Sequence, residues 1–189
     1  MPARKKKALS LVLAILGMLL LFPLYIFFHE SGHTLVALAN GATITRFSII
    51  NAYMSYEGGT FTPAATALLN IAGMLLPVVL VLLVLLVLPF YNKKATGVFY
   101  TVFSFFAFAI PSASVLAWVL VPILAAAGAA PKGDDVAKFI VNSGLPPLVV
   151  AAGGLLLFGL LAAALFYKKV PQNYWKTLRS FRAGGETVD

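Results

Sequence analysis

Residues 8–28 restrict the fold most, because they form a run of 21 residues without a charged side chain. A helix of this length can cross a hydrocarbon core of about 30 Å. The run is too long for a cleavable signal peptide. Only 11% of the residues in the chain are charged and 61% are hydrophobic, whereas soluble domains carry about 25% charged residues. The sequence therefore predicts an integral protein of the cell membrane.

Three more apolar segments predict further spans, so the expected fold class is an all-α polytopic (multi-pass) membrane protein with about four transmembrane helices. The segments are 63–91, 97–128 and 145–167. Segment 97–128 contains Pro111 and Pro122 and is long enough for one kinked helix or for two short ones. We expect residues 1–182 to form a single membrane-embedded domain and residues 183–189 to be a disordered tail.

Residues 42–57 have a different composition, rich in β-branched and aromatic residues, and they end at Gly58-Gly59. This pattern predicts a short β-hairpin inserted after the first span. An ordinary connecting loop is the alternative. An exposed edge of such a hairpin could bind an extended peptide by strand addition.

The only two histidines of the chain stand four residues apart in His29-Glu30-Ser31-Gly32-His33, at the end of the first apolar run. Residues with this spacing lie on one face of a helix, so both imidazoles can reach a single metal ion. Glu30 is then placed to act as a general base, while Gly32 leaves room beside the metal or permits close helix packing. We expect the helix to continue to about Ala39 and to stop at Asn40-Gly41.

A catalytic zinc site usually has three protein ligands, and this chain has no cysteine and no third histidine. The third ligand must therefore be one of the six acidic residues. Asp134 and Asp135 are the favoured candidates, because they lie at a membrane boundary on the side of the motif, and Glu57 is the alternative. Of the two aspartates, Asp135 is preferred as the ligand. Asp134 can instead cap a helix that begins at Asp135 and pair with Lys138.

The basic residues give a net charge of +8, but they cluster beside the apolar runs and do not indicate nucleic-acid binding. Eleven of the 14 lie at residues 4–7, at Lys93-Lys94 and in the tail after residue 167. Four crossings place all three clusters on one side, which is the cytoplasmic side by the positive-inside rule. The motif and Asp134-Asp135 then share the opposite side, whereas five crossings would separate them.

Together these features resemble the site-2 protease family of intramembrane zinc metalloproteases. The resemblance is carried by residues 29–33, with glycine directly before the second histidine, by residues 34–41 and by Asn70-Ile71-Ala72-Gly73, and it covers roughly residues 22–80. We expect Asn70 to face the protein interior, either in an interhelical hydrogen bond or as a substrate contact.

Membership would imply Zn2+ held by His29, His33 and an aspartate, with Glu30 activating water to cut a peptide bond in or near a transmembrane segment of a membrane-protein substrate. It would also imply that residues 42–57 help to hold the substrate strand. The family commonly has its aspartate before glycine, whereas this chain has Asp134-Asp135-Val136. The family also generally opens its site towards the cytoplasm, whereas the distribution of basic residues places the motif of this chain on the other face. Ferrous iron also suits such ligands.

The alternative function is an inactive relative or a non-enzymatic metal-binding membrane protein that binds partner helices. The oligomeric state stays open.

Overall fold

The computed structural model describes residues 3–87 and 98–182, and this part of the chain is mostly helical with one small antiparallel sheet. The elements are α1 (Ala3–Ala39), β1 (Ala42–Ser48), β2 (Tyr53–Gly58), α2 (Pro63–Val87), α3 (Val98–Ala126), α4 (Asp135–Ser143), α5 (Pro147–Tyr167) and α6 (Val170–Arg182). The predicted disordered tail, 183–189, and the basic pair Lys93-Lys94 lie outside the described residues.

Within the described residues, three helical segments are long and apolar enough to cross a membrane, judged by length and composition. They are Ile15–Ala39, Pro63–Leu86 and Pro147–Tyr167. The remaining predicted span, 97–128, corresponds to α3, which runs through Pro111 and Pro122 as one helix. The choice between one helix and two is therefore settled in favour of one. Its described apolar stretch, Ser112–Ala126, is shorter than the other three.

The first helix ends where the sequence predicts. Its last residue is Ala39, and the Asn40 side chain donates a hydrogen bond to the carbonyl of Val36 at 2.8 Å. Gly41 follows with a φ of 78°, a left-handed conformation that glycine adopts without steric cost. The chain can therefore reverse here and enter β1 directly.

The predicted hairpin is confirmed, and its alternative, an irregular loop, is wrong. β1 and β2 pair antiparallel from Ala42 opposite Gly58 to Ser48 opposite Tyr53. The register shifts between Ile44 and Arg46, which is a bulge in β1. Within the described part of the chain, β2 pairs with β1 alone, so its other edge is open.

The helices pack through two interfaces that fix the position of the short helix α4. Gly32 brings α1 against the backbone of α2, since a Cβ at residue 32 would collide with the carbonyl group of Ala72. α4 lies against α2 and α3. Its apolar face enters the main core, where Val136 is 3% exposed and the Phe139 ring meets the Trp118 ring edge-on at 5.0 Å. Its polar face is thereby turned towards α1.

Candidate metal centre

The two histidines lie one turn apart on α1 and their rings converge. Their ring centroids are 4.9 Å apart, and the Nε2 atom of His29 lies 3.2 Å from the Nε2 atom of His33. His33 is buried, at 7% exposure. The helical spacing therefore does bring both imidazoles to one point, as the sequence predicts.

Asp135 completes a group of three. Its Oδ2 atom lies 3.4 Å from Nε2 of His29 and 3.1 Å from Nε2 of His33. Asp135 lies in the first turn of α4. Because Val136 of the same helix is buried in the core, the polar face that carries Asp135 is turned towards α1. The three side chains thus form a compact cluster of potential metal ligands. Two of them belong to α1, and the third follows His33 by 102 positions in the chain.

Asp134 caps α4, so its carboxylate is not part of the group formed by His29, His33 and Asp135 in the described part of the chain. Its backbone is extended, with φ −68° and ψ 142°, and its Oδ1 atom accepts a hydrogen bond from the Val136 amide at 2.8 Å. The predicted ion pair between Asp134 and Lys138 is wrong. Lys138 lies 3.5 Å from Oδ1 of Asp135 instead, because the capping carboxylate of Asp134 is turned back onto the helix end.

The dimensions of the group fit a zinc ion. Zinc bound tetrahedrally to nitrogen or oxygen at about 2.0–2.1 Å separates neighbouring ligand atoms by about 3.3–3.4 Å. The three separations between the candidate ligand atoms are 3.1, 3.2 and 3.4 Å. Two imidazoles and one carboxylate also form a donor set that zinc accepts in catalytic sites.

A hydrogen bond behind His33 gives a second reason for a cation. Nδ1 of His33 donates to the carbonyl of Leu69 at 2.6 Å, which is the kind of outer contact that orients a metal-binding imidazole. In neutral His33 this donation leaves Nε2 with only a lone pair. That lone pair faces the Asp135 carboxylate, which also only accepts hydrogen bonds. Two acceptors 3.1 Å apart require a proton or a metal ion between them.

The electrostatics of Asp135 favour its charged form. Burial alone would raise the pKa of this carboxyl group, but hydrogen bonds with His29 and His33 and the charges of His33 and Lys138 outweigh burial. The pKa of Asp135 therefore lies well below its ordinary range. An ionised carboxylate is the form that binds a divalent metal.

Gly73 of α2 provides the space in which the two imidazoles meet. A Cβ atom at this position would collide with Nε2 of His33 and would lie 2.7 Å from Nε2 of His29. The sequence marks this glycine only as part of the segment Asn70-Ile71-Ala72-Gly73. For Gly32 the sequence suggests two roles, and the structure shows close approach to the Ala72 backbone, which is helix packing.

We expect Gly73→Ala to lower the affinity for zinc by about 10- to 100-fold, the range seen when support of metal ligands is disturbed. The added methyl group would push both imidazoles away from Asp135. The measurement is a competitive zinc titration with a chromogenic chelator. Gly153→Ala is the matched control, because its Cβ would meet no atom within 4 Å. Equal zinc affinity of the wild type and Gly73→Ala would show that the imidazoles are not confined by α2.

The cluster lies in the wall of a cavity of about 750 Å³. Glu30 lines this cavity beside His29 and His33 and is itself buried, at 6% exposure. Residues of β2 also line the cavity, among them Tyr53 and Tyr56. A space of this size accommodates a short extended peptide segment next to the three candidate ligands.

Comparison with known protein families, with curated proteins and with solved structures gave no match to this chain. The resemblance to the site-2 proteases therefore rests on the residues of the sequence motifs alone.

The structure adds site residues that the sequence does not single out. The Leu69 carbonyl and Gly73 act through backbone position, which carries no signal in the side-chain pattern. Tyr25 lies one turn before His29, with ring centroids 5.8 Å apart, and lines the cavity. Its position at i−4 from a histidine of the motif is the signal that could have identified it. Glu57, the alternative third ligand, is exposed in β2 and is not among the residues that line the cavity.

Proposed function

We propose that this protein is an intramembrane zinc metalloprotease similar to the site-2 proteases. The observation that carries the proposal is the triangle of His29, His33 and Asp135 ligand atoms beside Glu30 in a cavity. The zinc would be held by these three side chains, which leaves a fourth position free for chemistry.

The proposed setting is the cell membrane, with α1, α2, α3 and α5 as four spans. Large apolar side chains are exposed on the outer surfaces of three of these helices, for example Leu20 (71%), Leu86 (73%) and Leu156 (67%). Lipid tails would cover such side chains, whereas water would not solvate them favourably. The motif lies near the end of α1, so the cavity would sit close to one membrane boundary.

The proposed reaction is hydrolysis of a peptide bond with Glu30 as general base. When bound, zinc supplies Lewis acidity, which makes water nucleophilic near neutral pH and polarises the peptide carbonyl. The Glu30 carboxylate accepts a proton as the water oxygen bonds to the carbonyl carbon, and it then passes the proton to the leaving amine. His29, His33 and Asp135 hold their positions through α1, α4 and the Leu69 carbonyl.

The hairpin is proposed to hold the substrate in an extended form. A helical substrate hides its carbonyl groups in its own hydrogen bonds, so a transmembrane segment must unwind before cleavage. Tyr53, Met54 and Tyr56 of β2 line the cavity, and the open edge of β2 offers backbone groups for strand addition. An unwound segment paired with β2 would lie at the same cavity as the three candidate ligands.

The test is cleavage by the full-length protein purified in phospholipid nanodiscs and loaded with zinc. Casein, which is extended without prior unwinding, and a single-span protein inserted in the same nanodiscs should both be cut. Removal of the metal with 1,10-phenanthroline should stop cleavage, and added zinc should restore it. Metal analysis by mass spectrometry distinguishes zinc from iron. Metal-loaded protein that cuts neither substrate would contradict the proposal and favour a non-enzymatic metal-binding role.

A further inference from the structure

We propose that the side-chain amide of Asn70 is the hydrogen-bond donor for the carbonyl oxygen of the bound substrate peptide and for the oxyanion formed from it. This inference rests on the proposed protease function. It assigns to Asn70 a direct contact with the reacting atoms, in place of a contact between helices.

Asn70 is a buried polar residue whose donor group has no partner in the described part of the chain. It is 7% exposed, and its Nδ2 atom is fully buried without a hydrogen-bond partner there. Burying an amide N–H group without an acceptor is unfavourable. An interhelical hydrogen bond, the simpler of the two roles expected from the sequence, is therefore not what Nδ2 makes among these residues.

The position of Asn70 on α2 puts it at the metal cluster. It follows Leu69, whose carbonyl accepts the hydrogen bond from His33, and it precedes Gly73 by three residues. Gly73 faces the Nε2 atoms of both histidines, and residues three apart on a helix lie on neighbouring parts of one face. Asn70 accordingly lines the same cavity as His29 and Glu30.

Two other polar groups on the cavity wall contact protein partners. Tyr25 interacts with the hydroxyl group of Ser114, and the Lys138 ammonium group lies 3.5 Å from Oδ1 of Asp135. The Asn70 amide, in contrast, is a buried donor without an acceptor among the described residues, and a rotation of its side chain towards the cavity would present it to an incoming acceptor.

A peptide carbonyl is the acceptor that hydrolysis brings to this position. As the water oxygen bonds to the carbonyl carbon, the π electron pair of the C=O bond moves onto the oxygen, and Glu30 takes the water proton. The Asn70 N–H group would donate to that oxygen. When the C–N bond breaks, the electron pair returns to form C=O and Glu30 protonates the amine. Once the N–H group donates to the bound carbonyl, it needs no further reorganisation as the charge develops.

The test compares wild type with Asn70→Leu, which has the same branched shape and no donor, and with Asn70→Asp, which has nearly the same size and replaces the donor by an acceptor. For casein cleavage by zinc-loaded protein we expect kcat to fall by about 10²- to 10³-fold in both variants. KM and zinc content should stay close to wild type. Unchanged kcat in either variant would overturn the assignment.

A binding experiment separates this proposal from the protease proposal. A phosphinic pseudopeptide carries a tetrahedral oxyanion and should bind the zinc-loaded wild type about 10²-fold more tightly than Asn70→Leu, by the same hydrogen bond. The control probe is 2-phenylethanethiol, a zinc ligand without an oxyanion, which should bind both proteins equally. Equal phosphinate affinity, or no phosphinate binding by the wild type, overturns the role of Asn70. If Asn70→Leu loses phosphinate affinity while the wild type does not cleave casein, the role of Asn70 as a donor to the oxyanion is supported and the proposed protease function is contradicted.

Discussion

Replacing Glu30 by glutamine should leave zinc binding unchanged and lower the rate of peptide cleavage by about 10²- to 10⁴-fold, the usual contribution of a general base. Glutamine has nearly the same shape as glutamate, so the buried position on α1 stays filled. It cannot accept a proton from water. The measurement is kcat for casein cleavage together with the zinc content of the same preparation.

Ser31→Ala is a suitable control for this variant, because Ser31 is adjacent on α1 and is not among the residues that line the cavity. It should retain both zinc and cleavage. Cleavage by Glu30→Gln at the wild-type rate would rule out Glu30 as the base. Loss of zinc from Glu30→Gln would instead show that this carboxylate helps to hold the metal.

Local features of the sequence predicted well wherever neighbouring residues determine the structure. The end of α1 at Ala39 follows from the Asn40-Gly41 signal, and the strands of the hairpin follow from β-branched and aromatic composition. The pairing of His29 with His33 follows from helical periodicity alone. Each of these predictions depends on contacts between residues close in the chain, and each is confirmed by the structure.

Predictions that depend on contacts across the fold were less complete. Gly73 makes room for two imidazoles on another helix, and the Leu69 carbonyl orients one of them. Both contacts arise only once α1 and α2 are packed together, so no pattern within α2 could reveal them. The partner of Lys138 was wrong for a related reason, because the conformation of the Asp134 cap decides which carboxylate the lysine meets.

The choice between Asp134 and Asp135 shows how little separates a structural role from a site role in a sequence. Both are aspartates at the start of one helix. The backbone of Asp134 is extended, so its carboxylate reaches the Val136 amide. Asp135 has entered the helix, and burial of Val136 turns its side chain towards the histidines. One residue of helical register therefore separates the cap from the candidate ligand.

Asp135→Ala should accordingly weaken zinc binding by more than about 100-fold, since loss of an outer contact to a ligand already costs about 10- to 100-fold. The two remaining histidines cannot complete a catalytic site with three protein ligands. The zinc dissociation constant, measured by chelator competition, is the readout. Casein cleavage should be lost together with the metal.

Asp134→Ala is the matched control, because it removes the same charge from the adjacent residue. It should keep zinc affinity near the wild-type value and lower the free energy of unfolding by about 1 kcal/mol through loss of the helix cap. If Asp134→Ala lost zinc while Asp135→Ala retained it, the third ligand would be Asp134. If neither variant lost zinc, no aspartate of α4 would be a ligand. The two imidazoles would then need a carboxylate from elsewhere, and Glu30 would have to be tested as a ligand instead of a base.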